Sequence, residues 1–196
     1  MNELRAYRRE RLPLRRFGPL ALAIGHLGAA PGPESLPRTA LALLMIASFR
    51  VRDDLADRER DAVAHPKRVL VRARSTRPFA VAVVAGTTLA FVGLSLLRGP
   101  ARGLGLLALA AAFELGYRLE LPGRHRWVPL KYPVFAGLLA TRLAPTLAGL
   151  CYLALAIHER LDDEGLRSRP DANLRLAAYL LAAASLVVAR SQGGLR

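Results

Sequence analysis

The charged residues of this chain are kept out of seven long stretches, and this segregation constrains the fold more than any other feature of the sequence. The longest stretch holds the 20 residues from Pro78 to Leu97, and a helix of that length crosses a hydrocarbon core of about 30 Å. Arg and Lys side chains flanking the shorter stretches can extend to the membrane interface. The uncharged stretches are 17–33, 39–49, 78–97, 103–113, 132–141, 143–157 and 176–189.

The apolar stretches are hydrophobic on all sides instead of along one stripe. A soluble bundle with unusually apolar helices is the alternative, but its helices would show a polar face. We therefore predict a single all-α transmembrane domain over 1–196, a polytopic bundle with about seven spans. Its charged segments include a basic N-terminus at 1–16 and two acidic loops at 50–77 and 158–175.

The basic residues are distributed unequally between alternate connecting segments. With the N-terminus inside and each stretch crossing once, 23 of the 29 Lys and Arg residues lie in segments on the inner side. That bias matches the positive-inside rule, so we expect an integral protein of the cell inner membrane with a cytoplasmic N-terminus. The net charge of +14 then reflects orientation. No nucleic-acid partner is expected, because aromatic residues are not interleaved with the basic ones as in proteins that stack bases.

Nine of the 15 acidic residues form two clusters, five in 53–61 and four in 159–164, each at the inner mouth of a predicted span. In the first, Asp54, Asp57 and Asp61 are spaced i, i+3 and i+7, so a helix would place them on one face. Three stacked carboxylates repel one another unless a cation neutralises them, and hard oxygen ligands favour Mg²⁺. Pro66 then breaks the helix and returns Lys67 and Arg68 beside the acids. The alternative is a solvated helix with salt bridges to Arg52, Arg58 and Arg60.

The same residues resemble the motif of the UbiA-type intramembrane prenyltransferases, N-D-x-x-D-x-x-x-D followed by Pro and Arg. This chain has Asp53-Asp54-x-x-Asp57-x-x-x-Asp61, with Pro66 and Arg68 at the family's offsets and Asp53 in place of the Asn. Leu130-Lys131 is similar to a Leu-Lys-Arg element of the next inner loop. Glu159 and Asp163 stand where the family has a second motif, D-x-x-x-D.

The resemblance implies a transferase that uses Mg²⁺ to ionise a prenyl diphosphate and passes the prenyl group to an acceptor, often aromatic. It implies catalytic roles for Asp54, Asp57 and Asp61. The implied metal ligands are Asp53, Asp54, Asp57, Asp61, Glu159 and Asp163. The implied diphosphate ligands are Lys67, Arg68 and Lys131, which we expect to rim an apolar-floored cleft between the two acidic clusters, with carboxylates about 6–12 Å apart.

Two other functions stay open at this point. A phosphatidyltransferase of the CDP-alcohol type has an Asp-rich motif at a helix mouth, but its pattern begins with D-G-x-x-A-R, and only the tail, Asp57-x-x-x-Asp61, is present here. The second alternative is a diverged membrane protein without catalysis, because seven spans are fewer than the UbiA-type family usually has.

Overall fold

The computed structural model describes residues 3–26, 32–123 and 127–140, and every regular element within these ranges is helical. The expected all-α class is therefore confirmed for this part of the chain. The elements are α1 (Glu3–Arg11), α2 (Leu14–His26), α3 (Ser35–Ala56), α4 (Arg58–Ala64), α5 (Val69–Arg72), α6 (Arg77–Arg98), α7 (Pro100–Arg118), a 3₁₀ turn (Val128–Leu130) and α8 (Lys131–Leu139).

Helices α6 and α7 form the hairpin that the sequence predicts around Gly99-Pro100. Gly99 has φ of 91°, a left-handed conformation that favours glycine because it has no Cβ. Pro100 follows at the first position of α7, where its missing N–H costs no helical hydrogen bond. The bounds of α6 agree with the predicted stretch 78–97 to within one residue at each end.

Helix α6 is the one helix in the described ranges that is both long enough and apolar enough to cross a bilayer. Its most apolar 18-residue window has a mean hydropathy of 2.2, and 28% of that window is buried inside the molecule. Large apolar side chains on its outer faces are exposed, among them Val84 at 66% and Leu96 at 85%. The predicted spans at 143–157 and 176–189 lie outside the described residues.

Helices α2, α3, α6 and α7 pack against one another in chain order. A Cβ added at Gly86 of α6 would collide with the Ser48 side chain of α3, and one at Gly93 would collide with Leu41. Ser48, which faces Gly86, lies later in α3 than Leu41, which faces Gly93. Helices α3 and α6 therefore run antiparallel. The two glycines therefore leave room on α6 for the side chains of Ser48 and Leu41.

Helix α8 completes the core by packing on α2, α3 and α7. Its Phe135 ring lies 5.1 Å from Phe49 of α3, and Phe49 lies 5.5 Å from Phe113 of α7, both edge to face. Trp127, just before the 3₁₀ turn, lies 5.2 Å from Phe113. Such aromatic pairs prefer this edge-to-face geometry because of the ring quadrupole.

The bundle has two ends with different polar chemistry. At the hairpin end, Arg98 Nε and Arg102 Nη1 donate hydrogen bonds to the carbonyls of Leu139 and Gly137, at 2.9 and 2.5 Å. These arginines satisfy carbonyls at the C-terminus of α8, where the helix leaves them without partners. At the motif end lie the last turn of α3, helices α1, α4 and α5, and the beginning of α8.

Candidate functional site

The acidic motif does not lie on one continuous helix. Helix α3 ends at Ala56, Asp57 takes φ −97° and ψ 5°, and α4 begins at Arg58. Acidic side chains are unfavourable at a helix C-terminus, because the helix dipole is negative there. Three of them, Asp53, Asp54 and Asp57, lie at the C-terminal end of α3. The break assigns Asp54 to α3 and Asp61 to α4, while the N–H groups of Asp57 and Asp61 still donate to the carbonyls four residues earlier.

Asp54 is held by two side chains of the N-terminal helix α1. Arg11 donates from Nε to Oδ2 and from Nη2 to Oδ1, both at 2.9 Å, and the Tyr7 hydroxyl donates to Oδ2 at 2.7 Å. Arg50, one helical turn before Asp54, lies 3.7 Å from Oδ1. This paired, fork-shaped contact is among the stronger ways in which a guanidinium binds a carboxylate.

Asp53 has a separate set of partners, because it points about 100° away from Asp54 around α3. The Tyr117 hydroxyl of α7 and the Lys131 ammonium of α8 both donate to its carboxylate. Lys131 is 1% exposed and Asp53 is 6% exposed. A buried charge is tolerated only when it is paired and hydrogen-bonded, and this arrangement meets both conditions.

The two remaining acids of the motif are paired with cations close to them in the sequence. Asp61 is buried and lies 2.5 Å from Arg68 Nη1. Asp57 is more exposed, and its carboxylate lies 3.6 Å from Arg60. Lys67, next to Arg68, is exposed.

The surroundings of α1 also shift the pKa values of two of its residues, Tyr7 and Arg11. Burial raises the pKa of the Tyr7 phenol, and the neighbouring Asp54 carboxylate raises it further. The phenol therefore stays protonated and keeps its role as donor. Burial alone would lower the pKa of Arg11, but its hydrogen bonds to Asp54, together with the charge interactions with Asp54 and Tyr7, outweigh that effect and the pKa is raised.

The structure brings together part of the site that the sequence predicts. The Lys131 side chain forms an ion pair with Asp53, and the Arg68 side chain forms one with Asp61. Both cations are expected near these acids. Glu159 and Asp163 lie outside the described residues, so their expected position across a cleft stays a prediction. The stretch expected to carry Asp54, Asp57 and Asp61 on one helix is divided at Asp57, so Asp54 belongs to α3 and Asp61 to α4, and a shared face of the three acids stays a prediction.

The described carboxylates do not fit a magnesium ion as they are arranged. No three His, Cys, Asp or Glu side chains converge on one point within residues 3–26, 32–123 and 127–140. Both oxygens of Asp54 are taken by Arg11, and Asp53 is taken by Tyr117 and Lys131. Side-chain cations thus occupy the oxygens that a hard divalent cation would need.

Three side chains at the motif end are absent from the sequence argument: Tyr7, Arg11 and Tyr117. Tyr7 and Arg11 precede Asp54 by 47 and 43 residues, and Tyr117 follows Asp53 by 64. The only signal in the sequence is the Arg-rich segment 1–16, which orientation in a membrane explains equally well.

A cleft of about 480 Å³ opens beside the motif, between α3, α6 and α7. Arg52 stands at its edge, donating to the Ala110 carbonyl at 2.8 Å and lying 3.8 Å from Glu114. Lys67, Arg68 and Lys131, expected at a cleft rim, do not line this one. The lining residues are Arg52, Leu55, Ala56, Ala80, Val83, Val84, Glu114, Tyr117 and Arg118.

Comparison of the chain with protein-family models, with curated proteins and with solved structures found no match in any of the three. The function is therefore inferred from the residues of the chain and from their geometry.

Proposed function

We propose that this chain is an integral membrane protein with about seven spans and a cytoplasmic N-terminus. The supporting observation is α6, whose apolar 22 residues are mostly not covered by the rest of the molecule. The apolar core helix of a soluble protein is buried, whereas a helix facing lipid exposes residues such as Val84, Leu89 and Leu96.

A reporter fused after Arg196 tests this topology. Seven spans from an inner N-terminus place the fusion on the outer side of the membrane, and a fusion within the loop 50–77 should report the inner side. An inner position for the Arg196 fusion would contradict the odd number of spans.

Within that membrane protein, the proposed activity is prenyl transfer of the UbiA type. It is supported by the meeting of Asp53 with Lys131 and of Asp61 with Arg68 at one end of the bundle. Asp53 and Lys131 are 78 residues apart, on different predicted loops, and the fold brings them into contact. Basic side chains so placed can neutralise a diphosphate, whose charge increases as it leaves.

In the proposed reaction, the chain's own residues bind the diphosphate and neutralise its charge. The bond between C1 of the prenyl group and the diphosphate oxygen breaks, and its electron pair leaves with the diphosphate. Of the three expected ligands, Lys67 and Arg68 are accessible to that leaving group, whereas Lys131 is 1% exposed and paired with Asp53. The acceptor's carbon then bonds to C1 and releases a proton, while apolar helices keep water away from the allylic cation.

Binding of farnesyl diphosphate by the purified protein in detergent tests this function, with Mg²⁺ or with a chelator. We expect binding that depends on the metal and is lost in Asp57→Asn, because Asp57 belongs to the motif and is the most exposed of its acids. Glu59→Gln is the matched control, since Glu59 is an exposed acid two residues away and outside the motif. Equal losses in both variants would contradict the proposal.

A diverged protein without catalysis is the second candidate. It is favoured by the pairing of Asp53, Asp54 and Asp61 with cations of the chain itself. This candidate predicts no binding of farnesyl diphosphate under either condition. No observation favours the CDP-alcohol phosphatidyltransferase, and turnover of a CDP-lipid would be the result that revives it.

A further inference from the structure

The cleft between α3, α6 and α7 lies at the motif end of the bundle, where α3 and α7 end and α6 begins. Its volume of about 480 Å³ is within the range of about 300–1,000 Å³ that is typical of small-molecule sites. Helix α3 contributes Leu55 and Ala56 to the lining, and helix α6 contributes Ala80, Val83 and Val84. Because both walls are apolar, a molecule that fills the cleft needs an apolar part.

The cleft covers only the first turns of α6, the helix proposed to span the membrane. Ala80 and Val84 follow Arg77, the first residue of α6, by about 4.5 and 10.5 Å along the helix axis. In a hydrocarbon core of about 30 Å, these positions lie within one leaflet, near the boundary between headgroups and acyl chains. Val84 is 66% exposed, so this wall of the cleft faces lipid in the proposed orientation.

The lining of the cleft carries a net positive charge. Its charged side chains are Arg52, Arg118 and Glu114. Both arginines lie near the same carboxylate, Arg52 at 3.8 Å and Arg118 at 3.0 Å. Since two guanidinium groups share one carboxylate, one positive charge of the lining has no counterpart there.

The two guanidinium groups differ in how firmly the chain holds them. Arg52 is fixed by its hydrogen bond to the Ala110 carbonyl and by the Phe49 ring, whose centroid lies 5.5 Å from the guanidinium carbon. Its Nε has no acceptor among the described residues, so this guanidinium is not fully hydrogen-bonded. Arg118 is 75% exposed, and an exposed ion pair contributes little to stability. Arg118 can therefore turn from Glu114 to another anion at small cost.

We infer that this cleft binds an anionic phospholipid of the inner leaflet, with its phosphate at Arg52 and Arg118 and an acyl chain between α3 and α6. The inference rests on the proposed membrane topology and not on prenyl transfer. A charge taken out of water has to be paired. The single negative charge of a phosphodiester is balanced by the excess charge of the lining, whereas a diphosphate would need further cations. In other membrane proteins, basic pockets between spans on the cytoplasmic side bind anionic headgroups.

Quenching of Trp127 fluorescence by lipids with brominated acyl chains tests this site in the full-length protein. Trp127 is the one tryptophan of the chain, and its ring lies 5.1 Å from that of Tyr117, which lines the cleft. The protein is reconstituted into phosphatidylcholine vesicles that contain a fixed share of brominated phosphatidylglycerol or, in a parallel series, of brominated phosphatidylcholine. We expect phosphatidylglycerol to bind about fivefold more tightly, the factor that one basic side chain contributes near an anionic membrane surface.

Three substitutions locate the effect at the cleft. Arg118→Gln removes the excess charge and should lower the preference for phosphatidylglycerol about fivefold. Glu114→Gln removes the competing carboxylate and should raise the preference by about the same factor, a gain that misfolding does not produce. Arg74→Gln is the matched control, because Arg74 is an exposed arginine at the same end that does not line the cleft. It should leave the preference unchanged.

The outcomes separate the lipid site from the other proposals. Equal quenching by the two brominated lipids in the wild type would overturn the site. Equal losses in Arg118→Gln and Arg74→Gln would also overturn it, because the preference would then come from the general charge of the motif end. Relief of the quenching by farnesyl diphosphate, equimolar with the protein, would assign the cleft to a diphosphate instead.

Absence of quenching by either lipid would overturn the membrane topology together with the site. A preference for phosphatidylglycerol that depends on Arg118, in a protein that does not bind farnesyl diphosphate, would support the site and contradict prenyl transfer.

Discussion

Asp53 and Asp54 are neighbours in one helical turn, yet they occupy two different environments. Each carboxylate accepts a hydrogen bond from a tyrosine and forms an ion pair with a basic residue. The partners of Asp53 come from the core helices α7 and α8, and Lys131 is 1% exposed. The partners of Asp54 come from α1, where the Arg11 side chain is 18% exposed.

The difference follows from helix geometry and from what packs on each side. Successive residues of an α-helix point about 100° apart, so the two carboxylates, both 6% exposed, meet different elements. The pairs differ in their basic partners, since Lys131 is enclosed and Arg11 is partly exposed. The comparison indicates that the Asp53 pair belongs to the interior and that solvent reaches the Asp54 pair only through Arg11.

The largest expected effect comes from breaking the inner pair. Lys131→Met leaves the buried carboxylate of Asp53 without its ammonium partner, and such a loss costs about 3–5 kcal/mol of folding free energy. Equilibrium unfolding in detergent measures this loss. Restoration of most of the stability in Lys131→Met with Asp53→Asn would show that the unpaired charge is the cause. A loss in Lys131→Met no larger than in Arg11→Ala would contradict the assignment of Asp53 to the interior.

A smaller loss is expected from the outer pair. Arg11→Ala removes two charged hydrogen bonds, but Arg50 remains 3.7 Å from the same carboxylate and solvent can enter. We expect about 1–2 kcal/mol in the same unfolding measurement. Arg9→Ala, an exposed position of the same helix, should stay within about 0.5 kcal/mol of the wild type.

The smallest effect is a pH dependence of the outer pair. The pKa of Tyr7 is raised in the folded state, so its contribution to stability is complete below the unfolded pKa of about 10 and falls as the pH rises above that value. At about pH 10.5 the wild type should lose about 0.8 kcal/mol more than Tyr7→Phe, relative to pH 8 for each protein. Equal alkaline losses in the two proteins would show that Tyr7 is not enclosed.

The helical architecture could be predicted where charge and backbone signals agree. The uncharged stretch 78–97 and the Gly99-Pro100 break together give α6 and the start of α7. At α3 the same rule is less accurate, because the helix continues from the uncharged stretch 39–49 through Arg50, Arg52 and Asp54 to Ala56. Charged residues do not end a helix when other elements supply partners for them.

The site could be predicted only in part. The motif identifies the acids, Arg68 and Lys131, since their types and spacing are visible in the sequence. The break at Asp57 and the partners Tyr7, Arg11 and Tyr117 could not be found in this way, because contacts between residues more than 40 positions apart leave no local pattern. A carboxylate that looks free for a metal in the sequence can therefore be paired in the fold.

The two pairs also differ in when they can form during synthesis. The partners of Asp54 on α1 precede it in the chain, whereas Lys131 follows Asp53 by 78 residues. At about 5–20 residues per second, the ribosome needs roughly 4–16 s to supply that lysine. During this interval Asp53 has no Lys131, while Tyr7 and Arg11 are already available to Asp54. The partners from α1 are therefore available at the motif end first, and the partner from α8 is added later.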